Sequence, residues 1–196
     1  MLQDWGVVTA APRRGIVVVM DADTLKRIEI PPEAIACHLR RYLDSLDLLA
    51  LTVEQVALHA ASSAQPEDGE RLQAAIKRNW EQPYEHQRIP RTLLDFISEH
   101  IDYAALKDIY QVLARNLSIG RSIPKLVSRE QNEMNLYIYQ QCMDSCQMLL
   151  SGDREGFARA AAEMFGQIDS LVRQECRQLG YWEMAMQVYD GALLWQ

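Results

Sequence analysis

The stretch QQCMDSCQMLLSGDREGFARAAAEMFGQI, Gln140 to Ile168, decides the fold. On both sides of Gly152 and Asp153, apolar residues recur three and four positions apart, which is the period of an amphipathic α-helix. Gly152 is suited to end the first helix, and Asp153 is suited to cap the next one. Because only two residues join them, the two helices are predicted to form an antiparallel pair.

Each helix of this pair carries one apolar stripe, and the two stripes are predicted to face each other. Gln167 brings an amide into the second stripe, and a buried amide must find hydrogen-bond partners, which a ligand or a neighbouring protein group could supply. The first stripe consists of Met134, Ile138, Cys142, Ser145 and Leu149. The second consists of Phe157, Ala160, Met164, Gln167, Ile168 and Leu171.

The helical period extends outward from this pair through most of the chain. Pro66, followed by Glu67 and Asp68, places proline and negative charge in a first helical turn, where both are favoured. We therefore predict an all-α fold, an antiparallel bundle of about seven helices preceded by a short β-hairpin. The helical segments are residues 33–46, 48–64, 66–82, 89–100, 102–119, 129–151, 153–179 and 181–194.

The N-terminal stretch WGVVTAAPRRGIVVVM, Trp5 to Met20, has a different pattern. Two runs rich in β-branched residues flank Pro12 and Gly15, which predicts two strands joined by a turn. Arg13 and Arg14 at its tip are either a solvated turn or contacts to DNA phosphates. Three regions follow from this change of pattern: the hairpin over 1–20, a linker over 21–32 and a helical domain over 33–196.

Composition bounds the class of protein. The chain has 196 residues, 48% of them hydrophobic and 24% charged, which is ordinary for a soluble globular protein. A formal charge of −7 argues against nucleic-acid binding over the whole surface. Four cysteines without CxxC spacing indicate a reduced, cytoplasmic protein, and no apolar run reaches the ~20 residues that cross a bilayer.

No motif in the sequence indicates catalysis. The phosphate-loop, dinucleotide, zinc-protease and hydrolase signatures are absent. Cys142 and Cys146 lie four residues apart and could hold a soft metal, but we interpret them as small residues in a packed seam. The four histidines fall on four separate elements and are interpreted as structural or surface residues. These are His38, His59, His86 and His100.

Several polar groups lie on stripes that should face the bundle interior. Asn116 and Tyr110 share the 102–119 helix, and Tyr139 belongs to an aromatic cluster that more often forms a core or a dimer interface. With Cys142 and Gln167, they are the candidate ligand-binding residues.

Four segments resemble a known family. LQDWGVVTAAPRRGIVVV resembles the end of the recognition helix and the wing of a GntR-type winged helix-turn-helix. LTVEQVALHAA, YAALKDIYQVLARNL and the Gln140–Ile168 segment resemble helices of the all-helical effector domain of the FadR-like branch, called FCD. The first of these helices matches at Val53, Glu54, Ala57, Ala60 and Ala61.

The departures from that family bear on the ligand. Many members hold a divalent metal with one aspartate and three histidines, but Cys142 and Gln167 stand where two of those histidines would be. A further D-x-x-x-H pair is replaced near Pro90 and Leu94, and Ala50 stands where an arginine often meets a carboxylate effector. The resemblance therefore implies no metal and no other cofactor, and either an apolar effector or none.

The resemblance implies the effector-binding and dimerisation domain of a DNA-binding transcriptional regulator. The helices that would precede the recognition helix are absent, so we expect a fragment of a longer regulator or a misassigned start. A small-molecule effector, a second copy of the chain and DNA are the expected partners. Two alternatives stay open: a helical interaction scaffold without a ligand, and a metal-dependent helical enzyme.

Overall fold

The computed structural model describes residues 8–11, 15–18, 32–82, 88–119, 131–178 and 180–187. Its contacts divide the chain into two units, Met1–Ile35 and Ala36–Gln196. In the first unit, strands β1 (Val8–Ala11) and β2 (Gly15–Val18) pair antiparallel. Arg13, Arg14 and residues 21–31 of the predicted linker lie outside the described residues, and Pro32, the last residue of that linker, begins a helix.

The described remainder of the chain is helical, as predicted, and none of its helices is long and apolar enough to span a membrane. Seven helices are described. They are α1 (Pro32–Ser63), α2 (Pro66–Glu81), α3 (Ile89–Glu99), α4 (Ala104–Ile119), α5 (Gln131–Ser151), α6 (Arg154–Gln178) and α7 (Tyr181–Gln187).

The joint between α5 and α6 has the predicted chemistry. Gly152 adopts a left-handed backbone with φ +82°, which glycine reaches without steric penalty. The amide of Asp153 donates to the carbonyl of Met148 at 2.8 Å, and the Asp153 carboxylate accepts from the amide of Gly156 at 2.8 Å. The joint therefore satisfies backbone groups at the end of one helix and the start of the next.

Helix α1 is longer than the sequence pattern predicts. We expected one helix to end at residue 46 and another to begin at 48, but α1 continues through this point to Ser63. The stretch Leu46-Asp47-Leu48 contains neither glycine nor proline, so nothing interrupts the backbone hydrogen bonds. Leu46 and Leu49 are buried and keep one face of the continuous helix in the core.

The predicted stripe of α6 is wrong at Gln167, which is exposed. Phe157, Met164 and Ile168 are buried, so the apolar face runs through these residues. Gln167 lies about 100° around the helix from Ile168 and shares the exposed side with Glu163. Nothing therefore obliges the Gln167 amide to find a partner in the protein interior.

Replacing Gly152 with alanine tests the joint. At φ +82° a Cβ is strained even though no other atom lies within 4 Å, so we expect the free energy of unfolding to fall by about 1–2 kcal/mol. Gly166 is the matched control: it lies inside α6 with open space around it, and alanine there should stabilise by about 0.5–1 kcal/mol. Urea denaturation measures both changes, and an unchanged Gly152→Ala stability contradicts this account.

Candidate functional site

A groove lies between α2 and α3. It has a volume of about 250 Å³ and is lined by residues spaced three and four apart on each helix, so one face of each forms a wall. Its floor is apolar and its rims are charged. The α2 wall consists of Asp68, Arg71, Leu72 and Ala75, and the α3 wall consists of Thr92, Asp95, Phe96 and Glu99, followed by His100.

Polar contacts bridge the two helices at both ends of this groove. At one end, His100 Nε2 lies 3.1 Å from the Asp68 carboxylate. At the other, the side-chain amide of Asn79 donates to the Thr92 hydroxyl at 2.8 Å. Because Ala75 is small, the space between the two bridges stays open. The groove is therefore fixed at its ends and unfilled in its middle.

His100 is held on three sides. Its Nδ1 lies 2.9 Å from the carbonyl oxygen of Phe96, and its ring packs on the Phe96 ring with centroids 4.4 Å apart. A carbonyl and a carboxylate are both acceptors, so both ring nitrogens form hydrogen bonds when the ring carries two protons. The Asp68 carboxylate and the Phe96 carbonyl therefore fix the orientation of the imidazole ring.

Asp68 also organises the start of α2. It accepts a hydrogen bond from the amide of Gln65 at 2.9 Å, which completes a capping box, and a second from the guanidinium of Arg71. The Gln65 amide, then Arg71 and His100, lower the pKa of Asp68 to about 2. The carboxylate is therefore charged at neutral pH, and it both caps the start of α2 and bridges the groove to His100.

Asp95 occupies the middle of the opposite wall. Its carboxylate lies 3.3 Å from the Arg91 guanidinium, one turn earlier on α3. Burial raises the pKa of Asp95, and Arg91 opposes that change. Glu99 follows one turn later, so the α3 wall presents two carboxylates to the groove. On the α2 wall, the Arg71 guanidinium is paired with the Asp68 carboxylate.

The predicted ligand residues of α4 are paired with α1. The Tyr110 hydroxyl lies 3.0 Å from the Thr52 hydroxyl, and Tyr110 is fully buried. Burial raises the pKa of Tyr110 to about 12, which keeps the phenol protonated at neutral pH. The Asn116 amide donates to the Ser45 hydroxyl at 3.0 Å. The Tyr110 hydroxyl and the Asn116 amide nitrogen thus already form hydrogen bonds within the protein.

The other predicted residues do not come together in one site. Tyr139 stacks on Trp80 with centroids 4.6 Å apart. Cys142 is fully buried, and its thiol donates to the Met164 sulfur at 3.3 Å. Gln167 is exposed, so this candidate ligand-binding residue does not share a buried site with Asn116 and Cys142.

The groove could not be predicted from the sequence, because the two helices that form its walls are distant in the chain. Asp68 and His100 are 32 positions apart, and their contact depends on how α2 and α3 pack. The three-and-four spacing of the polar residues Thr92, Asp95 and Glu99 was the available signal, but exposed helix faces commonly look the same. Among the described residues, no three histidine, cysteine, aspartate or glutamate side chains form a group that could hold a metal ion.

Comparisons with known proteins add no family to this geometry. Searches of protein-family models, of curated proteins and of solved structures found no match for the chain.

Replacing Asp68 with asparagine tests its double role. A carboxyl whose pKa falls from 3.8 to about 2 on folding stabilises the protein above about pH 4, and this contribution is lost as the pH falls towards 2. We expect Asp68→Asn to lower the denaturation midpoint at pH 7 and to approach the parent protein near pH 2. Asp95→Asn is the control in the same groove, since a raised pKa predicts no loss at pH 7. Equal losses from both variants contradict this role.

Proposed function

We propose that the helical unit is the ligand-binding and dimerisation part of a DNA-binding regulator of the GntR type. The groove between α2 and α3 carries the ligand-binding half of this proposal, because it is open in the middle and bridged at both ends. The sequence resemblance to the wing and to the FCD helices supports the regulatory half.

The groove favours a small zwitterion such as an amino acid. A ligand ammonium group can face Asp95 and Glu99, its carboxylate can share the Arg71 guanidinium with Asp68, and its side chain can cover Leu72. A ligand held this way contacts α2 and α3 together, and its binding energy therefore favours one spacing of the two helices. Because the rims of the groove are charged, a polar ligand is proposed here in place of the apolar effector that the sequence resemblance implies.

An exposed apolar strip between α1 and α4 supports dimerisation. Ser45 contacts Asn116 and Thr52 contacts Tyr110, so the two helices run antiparallel at this seam. Exposed hydrophobic side chains flank the seam on both helices, and Leu51 is 81% exposed. Exposed apolar patches of this kind commonly mark protein interfaces. The strip consists of Leu48, Leu51, Ile109 and Val112.

The charges beside the strip suit a two-fold partner. Glu54 lies one turn from Leu51 on α1, and Arg115 lies one turn from Val112 on α4, both exposed. In a symmetric dimer that sets α1 of one protomer on α4 of the other, the acidic and basic residues meet twice. Ligand-dependent changes in such a dimer alter the spacing of two DNA-binding heads on a symmetric operator.

Thermal denaturation with the standard amino acids tests the groove. We expect at least one amino acid at millimolar concentration to raise the melting temperature, since a ligand that binds only the folded state stabilises it. Ala75→Leu fills the groove and should abolish this response, whereas Ala105→Leu on an exposed face of α4 should retain it. No response in the parent protein, or a full response in Ala75→Leu, contradicts this ligand site.

Sedimentation equilibrium tests the dimer. We expect the parent chain to be dimeric and Leu51→Glu to be monomeric, because the substitution puts a charge into the apolar interface. Leu136→Glu is the matched control, since Leu136 is an exposed leucine on α5 away from the strip. A monomeric parent chain would favour the scaffold alternative, and dissociation by Leu136→Glu would place the interface elsewhere.

A further inference from the structure

Two sulfur-bearing side chains, Cys142 and Met164, are in contact between α5 and α6, and a third, Cys146, lies one turn along α5. Cys142 and Cys146 lie one turn apart on α5, so their Cβ atoms are about 5–6 Å apart on one face. Met164 enters from α6 and places its sulfur 3.3 Å from the Cys142 sulfur. All three side chains are buried. The packing of α6 on α5 thus brings the Met164 thioether next to the Cys142 thiol, one turn from that of Cys146.

We propose that Cys142, Cys146 and Met164 form a binding site for a single Cu(I) ion. Thiolate and thioether sulfur are soft ligands that select Cu(I) among the biological metals. Two thiols on one helical turn can contact one ion, and the short distance from Cys142 to Met164 lets the same ion reach the third sulfur. This proposal is independent of the groove and of the proposed regulatory function.

The donor set discriminates against zinc. Structural Zn²⁺ takes four ligands in a tetrahedron, usually cysteine and histidine. In the described parts of the chain, no cluster of three histidine, cysteine, aspartate or glutamate side chains is available to it. Cu(I) is satisfied by two or three sulfur atoms, so the number and softness of the donors here suit it better.

Binding exchanges protons for the ion. Both thiols release their protons to solvent, and Cu(I) with two thiolates leaves a net charge of −1. Lys77 on α2 is the nearby cation, and it favours the thiolate form of Cys146. Burial raises the pKa of Cys142 and raises that of Cys146 to about 12, so the thiols stay protonated until a strongly thiophilic ion displaces the protons. Affinity should therefore increase with pH.

Anaerobic titration of the full chain with Cu(I), in competition with a chromogenic Cu(I) chelator, tests this site. We expect one Cu(I) per chain, a thiolate-to-metal absorption band in the near ultraviolet and tighter binding at pH 8 than at pH 6. Zn²⁺ added in equal amount should not displace the ion. Binding of no Cu(I), or of Zn²⁺ with the same affinity, overturns the proposal.

Variants locate the ion. Cys142→Ser and Cys146→Ser should each weaken Cu(I) binding by about tenfold or more, which corresponds to about 1.4 kcal/mol. Met164→Leu keeps the core volume, so it should fold and bind Cu(I) several-fold more weakly. Cys176→Ser is the control and should leave Cu(I) binding unchanged, because Cys176 is a buried cysteine on α6 outside this cluster.

A chain carrying both Cys37→Ser and Cys176→Ser retains only the proposed pair and should still bind one Cu(I). Loss of binding in this chain, with its circular dichroism unchanged, would assign the ion to other cysteines. Retained affinity in folded Cys142→Ser would likewise overturn the proposal.

Discussion

The apolar seam between α5 and α6 is the constraint on which the rest of the helical unit depends. Phe157 and Met164 are almost fully removed from solvent, and each such side chain contributes about 1.5–3 kcal/mol by burial. The left-handed Gly152 reverses the chain within two residues, which brings the two stripes face to face. The antiparallel pair then offers α2 and α3 a surface on which to pack.

Whether a polar group is already hydrogen-bonded within the protein determines whether it can bind a ligand. Inside the bundle, Tyr110 is paired with Thr52 and Asn116 with Ser45, so these groups fix how α1 meets α4. A polar atom already bonded to protein gains little from a ligand. The groove between α2 and α3 differs from these paired groups, because its polar bridges lie at its two ends and its middle stays open to a ligand. The sulfur cluster of Cys142, Cys146 and Met164 differs in another way, because its sulfur atoms prefer a soft metal ion to a hydrogen-bonding ligand.

The sequence predicted the helices far better than it predicted the site. Periodicity, Pro66 and the Gly152-Asp153 joint identify the helical segments and the α5–α6 turn, because these depend on residues close together in the chain. The helical spacing assigned Gln167 to the buried stripe of α6, but Gln167 lies on the exposed side, next to the buried Ile168. The contact of Asp68 with His100 and the approach of Met164 to Cys142 depend on packing between helices, which a single sequence does not display.

Native-state hydrogen exchange read by mass spectrometry tests the central role of the α5–α6 pair most directly. Backbone amides in the elements that hold a fold together exchange only through global unfolding. We expect the slowest amides to lie in the facing turns of α5 and α6, with the same opening free energy as the whole unit, and α7 to exchange faster. Exchange of α5 and α6 through a separate opening of lower free energy than that of α1 would contradict it.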